Sequence, residues 1–233
     1  MNVAKENDET MDADGHNSLK RIDRKYIWGE ISSVLTLDKG IFYTIKELII
    51  RPGLAVREFL LLDRKRLVKP IVFVVFSAIF FLVCQQLFQF KPSAAPENVD
   101  SASFQVVTDW ILEHYSIASV LLGIFMGLWI RLFFLKSRFN IYEVFVLVFY
   151  IIGMLNIFAT FFGILESIVG LNSDGWTFYV YFSYSVWAIG SFFNRKKFWS
   201  YFRGFLAYLF GVTSHFFLLV LIAWIIELAK NSN

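Results

Sequence analysis

Residues 142–168 read YEVFVLVFYIIGMLNIFATFFGILESI. Only two charged side chains interrupt this stretch, Glu143 and Glu166, one near each end. As a helix rising ~1.5 Å per residue it is longer than the ~30 Å hydrocarbon core of a bilayer. Four similar runs flank it, at about 70–90, 117–135, 176–193 and 204–228. The run at 176–193 is the least apolar, because Tyr181, Ser183, Tyr184 and Ser185 fall within it. Composition agrees with this reading. The chain has 233 residues, 57% of them hydrophobic, with 28 Phe and a mean hydropathy of +0.58. A soluble domain with about 45–50% apolar residues needs no such excess. The pattern predicts an all-α, polytopic membrane helix bundle of five transmembrane helices.

Charge placement gives the expected orientation. Arg51, Arg57, Arg64, Lys65, Arg66 and Lys69 precede the first run. Lys136 and Arg138 lie between the second and third, with Arg131 just inside the second. Arg195, Lys196, Lys197 and Arg203 lie between the fourth and fifth. The alternate loops hold Lys91 alone at 91–116, no basic residue at 169–175, and Lys230 in the C-terminal tail. Basic residues mark cytoplasmic loops. The expectation is a multi-pass protein of a bacterial inner membrane, N-terminus cytoplasmic and C-terminus periplasmic. Trp110, Trp176, Trp199 and Trp224 near the run ends fit interfacial positions. In the 91–116 loop, Phe104, Val107, Trp110, Ile111 and Tyr115 form a helical stripe.

The segment before the first run divides in two. Residues 1–25 are polar, with Glu6, Asp8, Glu9, Asp12 and Asp14 and no apolar signal core, and read as a disordered tail. Residues 26–69 read as a cytoplasmic module of amphipathic interfacial helices, ahead of the transmembrane domain at 70–233. Ile41, Phe42, Ile45, Leu48 and Ile49 recur at helical spacing, with Asp38 where an N-cap belongs. Pro52-Gly53 breaks the helix, since proline disfavours the helical conformation at Arg51. A second short helix carries Leu54, Val56, Phe59, Leu60, Leu61 and Leu62 into the basic group. Neither helix is long enough to span. The expected resting place is the membrane surface, with anionic lipid as partner; the plainer alternative is packing on each other or on a partner chain.

No HExxH, GxSxG, phosphate-binding loop or paired metal-ligand spacing occurs. No catalytic, cofactor or metal residue is therefore expected, and no nucleic-acid surface. The single cysteine, Cys84, reads as a small buried hydrophobe. Ser214-His215 is a poor nucleophile–base pair, because adjacent helical residues point about 100° apart. Gln85, Asn156 and His215 are a candidate polar intramembrane site, against interhelical hydrogen bonding as the plain reading. Arg131 and Glu143 are a candidate ion pair at similar depth. Gly123 and Gly127 form a small-xxx-small motif suited to helix packing, within the chain or in a homo-oligomer.

The segment LDKGIFYTIKELIIRPG at 37–53, then Val56-Arg57-Glu58-Phe59 and Arg64-Lys65-Arg66, resembles a bacterial membrane family. That family is the domain of unknown function 3667, common in Bacteroidetes. Asn140-Ile141-Tyr142-Glu143 is similar to its "N-Y-x-E" element. The resemblance covers roughly 27–228 and implies the same order of module and spans. It implies a shared interfacial module of Lys39, Gly40, Thr44, Pro52, Gly53, Arg57 and Glu58. Pro52-Gly53 would set the bend between the two helices, and Arg57 and Glu58 would orient the second. The N-terminal zinc ribbon of many members has no cysteines here, so zinc does not carry over. The family brings no reaction with it. The leading expectation is a non-enzymatic scaffold, assembly or membrane-organising protein. A small transporter component with a midplane polar site is the alternative, and a lipid-modifying enzyme a weaker one.

Overall fold

A computed structural model describes residues 40–90, 115–170 and 174–231, with side chains placed over 40–90, 118–170 and 176–222. These residues form seven helices and no strand. They are α1 (40–50), α2 (Pro52–Leu61), α3 (Pro70–Phe88), α4 (Tyr115–Phe133), α5 (Ile141–Val169), α6 (Asp174–Asn194) and α7 (Phe198–Asn231). The expected all-helical architecture is present. The tail at 1–25, the first part of the module with Asp38 and Lys39, and the stripe at 104–111 lie outside the described residues.

Local chemistry sets the ends of these helices. Pro70 occupies the first turn of α3, where its missing N–H costs nothing. The side chain of Asn140 accepts the Glu143 N–H at 2.9 Å, and the Glu143 carboxylate accepts the Asn140 N–H at 2.8 Å. This capping box starts α5. Gly170, at φ +67°, closes the helix with its N–H on the Glu166 carbonyl at 2.8 Å. The fifth apolar run begins earlier than expected, at Phe198, so Trp199 and Arg203 lie inside α7.

Helices α4, α5, α6 and α7 close into a ring, each packed on the next, and α3 lies outside it against α5. Contacts along α3 and α5 rise together. Phe73 meets Tyr150, Ser77 meets Asn156, and Phe88 meets Ser167, so these helices run parallel. Gly127 packs on Phe145 and Gly123 on Ile152, so α4 runs antiparallel to α5. Phe158 against Tyr184 at mid-helix, and Phe139 against Phe192 at the shared end, set α6 antiparallel to α5. Phe133 and Trp129 against Phe210, and Phe125 against His215, set α7 antiparallel to α4. Helices α3, α5 and α7 therefore share one direction, and α4 and α6 share the opposite one.

Three helical stretches are long and apolar enough to cross a membrane: Pro70–Phe88, Ile141–Val169 and Phe198–Ile222. The apolar stretch Ala118–Phe133 is shorter, and α6 does not meet the same test among the described residues. The tyrosines and serines of α6 are the physical reason. Ser185 and Ser191 are buried against neighbouring helices, where lipid solvation is not needed.

The small-xxx-small motif packs within the chain. A Cβ on Gly123 would come 2.8 Å from Ile152, and one on Gly127 would come 2.6 Å from the Phe145 ring. Gly153 is tighter, because the Phe73 ring beside it is fully buried. Gly153→Ala is expected to destabilise the bundle by about 1–3 kcal/mol, since that ring has nowhere to move. Gly127→Ala should cost less, because the half-buried Phe145 ring can swing aside. Thermal unfolding in detergent, monitored by retention of a monodisperse species, would rank the two.

Candidate functional site

Helices α1 and α2 and the segment 62–69 form a unit at one end of the bundle. The link between the helices is a single residue. Arg51 leaves the helical region (φ −151°, ψ 61°), yet its N–H still bonds the Glu47 carbonyl at 2.9 Å and its own carbonyl accepts from Ala55 at 2.8 Å. Pro52 then takes the first turn of α2, as the sequence predicts.

Gly53 has a different task from the expected bend. A Cβ there would collide with the Phe192 backbone nitrogen and the Ser191 hydroxyl, and lie 2.6 Å from the Ala188 carbonyl. Helix α2 thus rests with its backbone directly on that of α6. Ala55, Val56 and Phe59 follow into the same core, and Phe59 meets Tyr150 edge-to-face at 5.7 Å.

The buried stripe of α1 is shifted from the expected one. Ile41, Thr44 and Leu48 are buried, whereas Phe42 and Ile49 are exposed. Thr44, which sequence periodicity sets aside, is fully buried. Its hydroxyl donates to the Gly40 carbonyl at 2.7 Å and accepts the Val68 N–H at 3.0 Å. The Val68 carbonyl accepts from the Tyr150 hydroxyl at 2.7 Å. Both polar atoms of the Val68 backbone are held by side chains just before α3 begins. The Tyr184 hydroxyl adds a bond to the Leu48 carbonyl at 3.3 Å.

A closed ring of charges joins the three segments. Arg51 pairs with Glu47 at 2.6 Å and Glu58 at 3.1 Å. Arg66 pairs with Glu58 at 2.6 Å and Glu47 at 3.4 Å. The Arg66 Nε also donates to the Tyr43 hydroxyl at 2.8 Å, and the guanidinium sits 5.9 Å from that ring. The hydrogen bond to Tyr43, helped by Glu58 and Glu47 nearby, raises the Arg66 pKa above its already high ordinary value. Its charge is therefore fixed across the physiological range. Glu58 belongs to this ring as a bridge. Arg57, named alongside it, is half-buried and takes no part in the ring. Glu47, Arg51, Tyr43 and Arg66 complete it. The i,i+4 spacing of Glu47 and Arg51 was the available signal. The return of Arg66 over α1 has no signature in the sequence.

The other expected groupings do not assemble. Arg131 and Glu143 form no ion pair: Arg131 reaches the carbonyls of Phe134 and Leu135 at 3.4 and 3.3 Å, and the capping box occupies Glu143. Gln85, Asn156 and His215 are not one cluster. Asn156 donates to Ser77 at 3.3 Å between α5 and α3, and His215 packs beside Phe125 between α7 and α4. Gln85 is half-buried on α3. The Ser214 hydroxyl donates to the Phe210 carbonyl and accepts from the Trp129 indole at 2.7 Å. It is tied to neighbours other than His215. Among the described residues, no group of three or more His, Cys, Asp and Glu side chains lies close enough to share a metal ion.

Residues 38–82 match the model of a family described as "Protein of unknown function (DUF3667)". The match takes in the charge ring, Gly53, the Val68 clamp and the first two-thirds of α3. No curated protein and no solved structure matches the chain.

Gly53→Ala is expected to cost at least about 2 kcal/mol, because backbone atoms of α6 cannot yield as a side chain would. Glu58→Gln should cost only about 1 kcal/mol, since the ring's side chains are 14–35% exposed and screened by water. Thermal unfolding of the two variants at low and high salt would separate them. The Glu58 effect should shrink in salt, and the Gly53 effect should not.

Proposed function

We propose that this chain, a DUF3667 family member by its residues 38–82, is a non-enzymatic membrane protein that crosses a bacterial inner membrane five times. In this reading it presents the α1–α2 unit at the cytoplasmic face as a fixed docking platform. The crossing number has topological support. If three parallel apolar helices each enter from the same side, the chain must return twice between them. Helices α4 and α6 run in the return direction and pack alongside the others. A helix as polar as α6 is tolerated where its polar groups face protein.

The observation that carries the platform reading is the seating of α2 on α6 through Gly53. Backbone-level contact at that point, with the double grip on Val68, holds the module rigidly to the bundle. A lid or gate would need a looser attachment. The roles this fits are scaffolding, assembly or membrane organisation.

One observation favours transport as a second reading. His215 is buried, and its Nδ1 has no hydrogen-bond partner. Its separation from Asn156 and Gln85 leaves it alone rather than on a continuous polar path. A lone buried imidazole costs less when neutral than a charged relay would.

Two measurements test these readings. A phosphatase active only outside the cytoplasm, fused to the C-terminus, should be active, and a fluorescent protein that matures only inside should stay dark. The opposite result rules out five crossings that begin from a cytoplasmic N-terminus. In proteoliposomes under an imposed potential, wild-type and His215→Ala protein should pass protons equally slowly. A leak in the wild type that His215→Ala abolishes would replace the platform reading with transport.

A further inference from the structure

We infer that the outward face of α1 is a binding surface for anionic phospholipid headgroups, resting on the platform reading above. Depth is the first reason. Thr44 is bonded to the Val68 backbone, and Gly40 packs on the Val68 side chain. Helix α1 therefore lies at the level where α3, the first long apolar helix, begins at Pro70. In a membrane-spanning chain that level is the headgroup layer.

The second reason is the face itself. Opposite the buried Ile41, Thr44 and Leu48, α1 exposes Phe42 (73%), Ile49 and Ile50 (58%). Phe42 and Ile49 are seven residues apart, and Lys46 and Ile50 four, so all four side chains form one stripe. Leu62, 80% exposed, adds an apolar group at the end of α2. Apolar side chains beside a lysine suit the boundary between acyl chains and headgroups, where the stem buries and the ammonium stays out.

Charge is the third reason. Between residues 40 and 69 the acids are Glu47, Glu58 and Asp63. The ring uses both glutamates against Arg51 and Arg66. Asp63 accepts the Lys65 backbone N–H at 2.8 Å. Lys46, Arg64, Lys65 and Lys69 are exposed and lie outside these pairs. The module has thus paired both glutamates within itself and left four exposed cations against the one remaining acid, Asp63, a net cationic surface complementary to anionic lipid. Topology alone accounts for basic residues near a span, but not for an exposed apolar stripe with Lys46 set within it.

The test uses the full chain, carrying Cys84→Ser and Ile50→Cys and labelled at position 50 with an environment-sensitive fluorophore. It is reconstituted into phosphatidylcholine vesicles with a minority of phosphatidylglycerol. The expected emission is blue-shifted, and brominated phosphatidylglycerol should quench it more effectively than brominated phosphatidylcholine. Replacing three cations, Lys46→Gln, Lys65→Gln and Lys69→Gln, should lower that lipid preference by roughly tenfold or more. Phe42→Ser with Ile49→Ser, which changes no charge, should shift the emission toward that of water. Water-like emission in the parent protein, or equal quenching by both lipids, would overturn the inference and leave the face for a soluble acidic partner or for none. The C-terminal reporter on the Phe42→Ser, Ile49→Ser protein separates the two proposals. An unchanged orientation with no lipid preference in the parent removes the lipid surface and leaves the five-crossing platform standing.

Discussion

The contact between Gly53 and the backbone of α6 governs the rest of this structure. It lets two helices touch where any side chain would hold them apart. Once α2 is seated there, Val56 and Phe59 enter the core beside Tyr150. Glu58 then holds Arg51 on one carboxylate oxygen and Arg66 on the other. The chain returning from α2 is held at Val68 by Thr44 and Tyr150, which sets where α3 starts. Close packing of this kind has no soft adjustment, so a small error at Gly53 propagates to every one of these contacts.

The charge ring plays a different part. Its members are only partly buried, so each pair is worth little in stability. Four charges alternating in sign do, however, admit few other arrangements. A shift of one residue would put Lys46 or Leu48 in the place of Glu47 and take a carboxylate away from both arginines. The ring is better understood as setting register between segments that Gly53 and Val68 hold in place. The specificity of charge and the strength of packing are divided between different residues.

Much of the fold was legible because hydrophobic runs and helix ends have local causes. The runs at 70–90, 117–135 and 142–168 found their helices within a few residues, whereas the capping box of Asn140 and Glu143, a local signal present in the sequence, reads there only as a family-like element. The module was partly legible. Pro52 marked the break between its helices. Gly53 looked like part of the bend, because sequence shows only that glycine lacks a Cβ, not which neighbour uses the space. Thr44 falls outside the apolar stripe read from the sequence for a similar reason. Periodicity counts a threonine as polar and turns it outward, but here a buried backbone N–H at Val68 needed an acceptor. The ring escaped because Arg66 reaches Glu47 and Glu58 across a turn of chain whose path only the fold decides. The ion pair expected of Arg131 and Glu143 failed by competition, since the capping box satisfied Glu143 locally first.

The polar residues within the apolar helices show how far depth alone carries a functional argument. Similar depth along their helices made Gln85, Asn156 and His215 look like one site. Depth is a single coordinate, and helices in a bundle also have faces. Asn156 turns toward α3 and finds Ser77, while Thr160 donates to the Asn156 carbonyl one turn on. The first bond joins two parallel helices and the second is internal to α5, and neither needs a substrate to explain it. His215 turns toward α4, on a helix that is antiparallel to it. A shared site would have required both side chains to point into the interior of the ring formed by α4 to α7. Asn156 instead faces the helix that lies outside that ring, so it serves to attach α3. This assignment makes α5 the helix on which both the ring and its outrider depend. It also explains why the α1–α2 module, rather than the bundle interior, is where the unspent chemistry of this chain collects.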